Sequence, residues 1–154
     1  MSEVPIRCTG IAVVLLKKVE NQYSVLLVKR AKSVLKDVWC YIGGGIEEGE
    51  KAWEAAYREV EEETGITNLS LYSANTFDRI YSMEENYIYI APVFVGFLAS
   101  DQEVNLNEEH SEYQWLSFQE AIDIVSLPGN DEVLSSIEKH FVKKEAPGYI
   151  KVGG

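Results

Sequence analysis

Residues 44–66 read GGIEEGEKAWEAAYREVEEETGI. No other stretch restricts the fold as much, because it specifies a turn, a helix and a charge problem together. Two glycines open it, and with Gly43 they form a run of three that permits close backbone approach and unusual dihedrals. Strong helix formers (Ala52, Ala55, Ala56 and several glutamates) then fill residues 51–64, and Gly65 follows as a C-terminal cap. Eight acids (Glu47, Glu48, Glu50, Glu54, Glu59, Glu61, Glu62, Glu63) face only two bases, Lys51 and Arg58. Such crowding repels itself unless cations neutralise it, and hard divalent cations take oxygen ligands.

Helical periodicity sorts these acids. Residues three and four apart share a face, so Glu59, Glu62 and Glu63 lie within an arc of about 100°. Ala52, Ala55 and Ala56 fall on the same side, where small residues would let the helix approach a sheet and hold carboxylates over a cleft. Trp53, Tyr57 and Val60 occupy a neighbouring face that suits core packing. Glu61 points to solvent, and Arg58 is placed to orient acids by pairing with Glu50 across the turn. A run of glutamates is usually a solvated helix face. That account leaves unexplained the alanines beside the acids, the preceding glycines, and like charges at i, i+4 with no intervening lysine.

The rest of the chain supplies strands. Residues 11–16 and 23–28 are apolar and β-branched, separated by Glu20-Asn21-Gln22, and read as paired strands. Residues 31–38 form a polar connection, and residues 39–42 return to strand-like composition. Residues 69–81 and 87–98 read as the arms of a long hairpin about Glu84-Glu85-Asn86, with Pro92 marking an edge or a bulge. An acidic loop at 100–109 leads to a short strand at 113–118. Ser117 caps a helix over 118–125 with Glu120 in the capping-box position. After Leu127-Pro128-Gly129-Asn130 a last helix covers 131–142, and the tail, 143–154, is loosely held. Helices set among antiparallel hairpins imply an α+β or layered α/β/α sandwich, not a doubly wound sheet.

Composition narrows the partners. A chain of 154 residues suits one domain, 1–154, with its core at about 7–142. A net charge of −11 argues against duplex nucleic acid as a surface partner. Small phosphorylated substrates remain compatible, because a bound metal inverts the local field. Cys8 and Cys40 make no disulfide framework, which points to a reducing cytoplasm. The N-terminus lacks the pattern of a signal peptide, and the longest apolar stretch, 88–98, is too short for a membrane span.

Gly44, five residues, Glu50, seven residues, then Arg58-Glu59-Val60-Glu61-Glu62-Glu63-Thr64-Gly65-Ile66 resembles the Nudix box at every specified position. The order of strands and helices over residues 7–142 also resembles the whole Nudix hydrolase domain, a sandwich with a mixed and antiparallel sheet. Many relatives carry proline-glycine-glycine before the box, where this chain has Gly43 as the first residue.

The resemblance implies a metal-dependent hydrolase that cleaves nucleoside diphosphate-linked substrates by attack of water on phosphorus. It implies Mg2+ or Mn2+ as cofactor, held by Glu59, Glu62, Glu63 and the Gly43 carbonyl. Glu62 and Glu63 then serve catalysis, and Glu50 with Arg58 form the orienting pair. Some relatives supply another acid from a distant loop. Glu109 is the choice here for base or additional ligand, with Glu108 and Glu112 as rivals, while His110 reads as a surface or packing residue. Arg30, Lys29 and Lys36 are candidates for phosphate contact. One or two of Tyr72, Phe77, Tyr81, Tyr87, Tyr89 and Phe94 would stack on a base.

Residues 109–116 resemble those of members acting on nucleoside triphosphates or pterin triphosphates, and also those of diadenosine tetraphosphate hydrolases. A small nucleotide-like substrate is therefore expected, with a homodimer as a common assembly in the family. A non-catalytic binding module would show an eroded box, and RNA decapping fits poorly with an acidic surface lacking a basic patch.

Overall fold

The computed structural model describes residues 1–33 and 35–153. Val34, in the expected polar connection, and Gly154, in the tail, lie outside the described residues. The central strand is β2 (Gly10–Val19), and it is buried along most of its length. Its alternate side chains feed two cores. Ile11, Val13 and Leu15 join Ala55, Ala56 and Val60 of α1 (Ala52–Thr64). Ala12, Val14 and Leu16 join Phe118 and Ala121 of α2 (Phe118–Ile124) and Val133, Leu134 and Ile137 of α3 (Asn130–Ile137). A strand covered on both faces must be apolar without alternation, which is how residues 11–16 read. The result is the expected α/β/α sandwich.

The other strands hang from β2. A turn at Glu20 and Asn21, both in the left-handed region (φ 52° and 65°), joins it to β3 (Gln22–Arg30) in antiparallel register. Two consecutive positive-φ residues give the turn whose twist suits a two-residue hairpin. The long hairpin forms between β6 (Leu69–Ser82) and β7 (Tyr87–Leu98). Strand β7 then runs parallel both to β2 and to a short β1 (Ile6–Arg7), so the sheet is mixed.

Pro92 lies where the β6–β7 register breaks between Ser73 and Phe77. The bulge reading holds and the edge reading fails, because β7 has neighbours on both sides. Proline is tolerated there since β7 changes partner from β1 to β2 beside it.

Several expectations need correction. The strand expected at 39–42 divides at Tyr41 into β4 (Trp39–Cys40), which pairs with β3, and β5 (Ile42–Gly45), which pairs with β2. Trp53 is 40% exposed and packs edge-on against Tyr57. Burial of α1 sets in only at Ala55 and Ala56, so the first turn has not yet reached the sheet. The last strand, β8 (His110–Leu116), starts three residues earlier than composition suggests, because its backbone pairs with β3 back to Arg30.

The last helix is α-helical to Ile137 and continues as a π-helical turn over Glu138–Val142. The tail is pinned: Lys151 bridges Tyr72 of β6, and the Val152 N–H donates to the Leu71 carbonyl at 2.8 Å. Among the described residues, no helix is long and apolar enough to cross a membrane.

Candidate active site

Strand β5 and helix α1 are built against each other through one missing side chain. A Cβ on Gly44 would collide with the carboxylate of Glu59. Glycine here lets an acid on the third turn of α1 lie directly over the strand. The helix itself starts with the Lys51 N–H donating to Glu54 Oε1 at 2.9 Å and ends at Gly65 in the left-handed conformation (φ 76°), with the Gly65 N–H donating to the Glu61 carbonyl. Glu59 and Glu63 are buried, whereas Glu61 and Glu62 are exposed.

Arg58 ties the acids together. Its Nε donates to Glu50 Oε2 at 2.8 Å and its Nη2 to Glu50 Oε1 at 2.9 Å, a bidentate pair. Nη2 also donates to the Gly45 carbonyl at 2.8 Å. Nη1 donates to Glu59 Oε1 at 2.8 Å and to Glu62 Oε2 at 3.1 Å. One planar guanidinium thus fixes the glycine strand and three carboxylates in a single geometry. The Arg58 bond, and then the backbone N–H of Glu47, hold the Glu50 carboxyl down at about 2. The pairing of Arg58 with Glu50 is the one expected from the spacing.

Glu63 is the least satisfied acid in the cluster. Its side chain is 1% exposed, and Oε2 has no hydrogen-bond partner among the described residues. Burial, followed by the hydrogen bond and charge of Glu59 and the charges of Glu109 and Glu62, pushes its carboxyl up to about 9. A buried carboxylate among like charges is costly unless a cation or proton relieves it. Glu63, Glu109 and His110 bring ligand atoms within 4.8 Å of one another. The donor set, several carboxylate oxygens with one orphaned and buried, fits a hard divalent cation.

Sequence reasoning missed His110. It is buried, its Nδ1 lies 3.5 Å from Glu63 Oε1, and that nitrogen has no hydrogen-bond partner. Burial pushes its pKa below the ordinary value, against an opposing pull from Glu109. The cause of its position is register. His110 is paired with Arg30 across β3 and β8, at the point where a bulge shifts the ladder. The only hint in the sequence was a histidine directly following Glu109 in an acidic loop.

A cleft of about 550 Å³ opens over these groups. Arg30, Lys32, Gly43, Gly44, Glu63 and Glu109 are among its lining residues. Arg30 Nε is buried without a partner. Lys36 is exposed and does not line the cleft, where Lys32 does. Lys29 is paired with Glu112 at 3.0 Å, which takes both away from the carboxylate cluster. Glu108 is exposed and stands outside the cluster that contains Glu109. A second cavity of about 760 Å³ adjoins the first and shares Asp78, Tyr89, Leu127 and Asn130 with it. Of the aromatic candidates, Tyr89 lines both cavities and Phe77 and Tyr81 line the second. Tyr72 and Phe94 pack in the two cores.

The chain is similar to known proteins. The family model for the NUDIX domain matches residues 7–137. An RNA pyrophosphohydrolase of Pelagibacter ubique is 30% identical over 138 residues, covering 79% of this chain and 83% of its own length. The nucleoside triphosphatase NudI of Escherichia coli is 30% identical over 107 residues, covering 64% of this chain and 76% of its own. Among solved structures, the E. coli dihydroneopterin triphosphate pyrophosphohydrolase superposes with a TM-score of 0.71 at 25% identity, over 92% of this chain and 99% of that one. The match over most of the chain, with the glycine strand and carboxylate helix in place, makes this protein a member of the Nudix hydrolase family, enzymes that act on pyrophosphate bonds and generally use divalent metal ions.

Proposed function

We propose that the protein is a Mg2+- or Mn2+-dependent pyrophosphohydrolase of a small triphosphate, either a nucleoside triphosphate or a pterin triphosphate. The observation that carries this reading is the buried, unpartnered Glu63 oxygen among like charges, in a residue that lines a cleft together with Arg30. Glu59, Glu62 and Glu63 would hold the cation, with the Gly43 carbonyl as a further ligand. Bound there, the cation would neutralise charge on the pyrophosphate oxygens and lower the pKa of an attacking water.

The chain's own groups do the rest. Arg58, locked to Glu50, holds Glu59 and Glu62 in fixed orientation. Arg30 lines the cleft and would approach the phosphates with its guanidinium, and Lys32 from the cleft rim is a better candidate for a second contact than Lys36. Glu109, exposed and adjacent to Glu63, accepts the proton of the attacking water. Two relatives that match over much of the chain are named for triphosphate substrates, which supports the class.

The RNA pyrophosphohydrolase among the relatives suggests a longer substrate with the same 5′ end. The net charge of −11 opposes extended contact with an RNA backbone. The test is a metal-dependent hydrolysis screen of nucleoside triphosphates, pterin triphosphates, diadenosine tetraphosphate, nucleotide sugars and 5′-triphosphorylated RNA. Pyrophosphate release from a free triphosphate, abolished by chelation, is expected. Cleavage of RNA or diadenosine tetraphosphate in preference to every free triphosphate would overturn the substrate class.

A single domain, a homodimer and a cytoplasmic location complete this reading. Both cysteines are free, Cys8 exposed and Cys40 buried, which is consistent with a reducing compartment. Light scattering reads the assembly.

A further inference from the structure

Where the two cavities meet, three polar side chains from distant parts of the chain form a closed network. The Tyr41 hydroxyl donates to Asp78 Oδ1 at 2.5 Å. The Asn130 amide nitrogen donates to the Tyr41 oxygen at 2.9 Å and to Asp78 Oδ1 at 3.4 Å. The direction of each bond is fixed by valence. The one hydroxyl proton of Tyr41 goes to the carboxylate, so the tyrosine oxygen must accept from Asn130. That sets the flip of the amide, with its nitrogen inward and its oxygen outward.

The outward atoms are therefore two acceptors, Asp78 Oδ2 and Asn130 Oδ1. Among the described residues nothing donates to either oxygen. Neither is among the buried atoms sealed without a partner, so both reach the cavities that Asp78 and Asn130 line. Asn130 is 9% exposed, so its free oxygen belongs to a buried side chain aimed at the cleft. Burial also holds the Asp78 carboxyl above its ordinary value, the condition of an acceptor short of donors.

We infer that Asp78 and Asn130 form an acceptor pair that selects a heterocycle presenting a ring N–H beside an exocyclic amine, the edge shared by guanine and pterins. Adenine and cytosine place their amine beside a ring acceptor, and uracil offers one N–H between two carbonyls. Each would set an acceptor against an acceptor or leave one oxygen dry. A buried polar group left unpaired by the wrong ligand is a strong source of discrimination. This selection rests on the triphosphate reading above and names the heterocycle within it.

The test uses the full chain with Mg2+ and compares equilibrium binding of non-hydrolysable triphosphate analogues of guanosine, inosine and adenosine. Inosine differs from guanosine only in lacking the exocyclic amine. The guanosine analogue is expected to bind at least about tenfold more tightly than the other two. In Asp78→Asn, Tyr41 still donates to the inward oxygen, so the outward group becomes an N–H donor. The guanosine preference then collapses and the adenosine analogue gains affinity.

Equal affinities for the three analogues in the native protein overturn the acceptor pair, even with brisk turnover. So does an undiminished guanosine preference in Asp78→Asn. The inosine comparison requires no variant and stands if Asp78→Asn folds poorly. Selective binding without turnover of any triphosphate overturns the proposed reaction and leaves the acceptor pair intact. Turnover of GTP against a neopterin triphosphate identifies which source of the shared edge is used.

Discussion

The carboxylate of Glu59 fills the space where a side chain on Gly44 would lie. The two residues are far enough apart in the chain that neither helix periodicity nor turn preference links them. Their contact couples the glycine strand β5 to the acids of α1, and it predicts a strong effect from a single methyl group.

Gly44→Ala should displace Glu59 and disturb the geometry that Arg58 maintains. We expect turnover to fall by about a hundredfold, the scale on which a misplacement near 1 Å acts. Overpacking should also lower stability by about 1–3 kcal/mol. Steady-state kinetics with a denaturant titration checks both. Unchanged turnover would show that Glu59 is free to move without consequence.

Arg58→Lys retains the charge and removes the planar fork. A lysine cannot hold Glu50 bidentately while also bonding Gly45, Glu59 and Glu62. Metal affinity or turnover should drop by roughly tenfold to a hundredfold, as for other residues that orient ligands. Calorimetric titration with Mn2+ measures the first directly.

The Glu50 carboxyl is depressed to about 2 by Arg58 and by the Glu47 N–H. A depressed folded-state pKa adds stability that is fully present above the unfolded value and is lost as pH falls. The loss should therefore run from the ordinary glutamate range down through about 2. Denaturation midpoints measured across that acid limb should fall less steeply in Glu50→Gln than in the native protein. Parallel slopes would mean that the pair contributes nothing to acid stability.

Burial and the neighbouring acids hold the Glu63 carboxyl protonated at neutral pH when no cation is bound, so Glu63→Gln replaces one neutral group with another. The metal-free variant should melt close to the metal-free native protein at neutral pH, and above it in alkali beyond about pH 9, where the native carboxyl ionises without a partner. Addition of Mg2+ should stabilise the native protein strongly and the variant little, while turnover falls by orders of magnitude. Thermal melts with and without the ion read both effects. Normal turnover by the variant would remove Glu63 from the metal site.

The pinned tail makes a separate prediction about stability alone. Deleting residues 146–154 removes the Tyr72–Lys151 bridge, the Val152–Leu71 bond and the packing of Ala146 and Ile150 on the core. The melting temperature should drop by roughly 2–8 °C, with KM for the substrate found in the hydrolysis screen little changed. A large change in KM would connect the tail to the cleft.

Much of the fold was readable because local rules suffice for it. The helix over α1, its glycine stop, the Ser117 capping box, the first hairpin and the long β6–β7 hairpin all follow from short-range patterns of residue type. The pairing of Arg58 with Glu50 followed from placing one turn before one helix. Trp53 misled because periodicity assigns a side chain to a face and does not say where the helix meets the sheet. The tail misled because its anchors are backbone bonds to β6 and the packing of Ala146 and Ile150 on the core, which depend on where those partners lie in space and which composition does not encode.

By itself, the sequence determined the candidate site's inventory: a glycine turn, and carboxylates three and four residues apart on one helix, held by one arginine. Those relations lie within a single helical period, so spacing along the chain is spacing in space. Only the tertiary structure decided which distant groups join them. His110 reaches Glu63 because the β3–β8 register seats it opposite Arg30. Tyr41, Asp78 and Asn130 meet across chain separations of 37, 52 and 89 residues. Strand register and helix docking set such meetings, and they arise from the packing of the whole sheet, which no local pattern of residues carries.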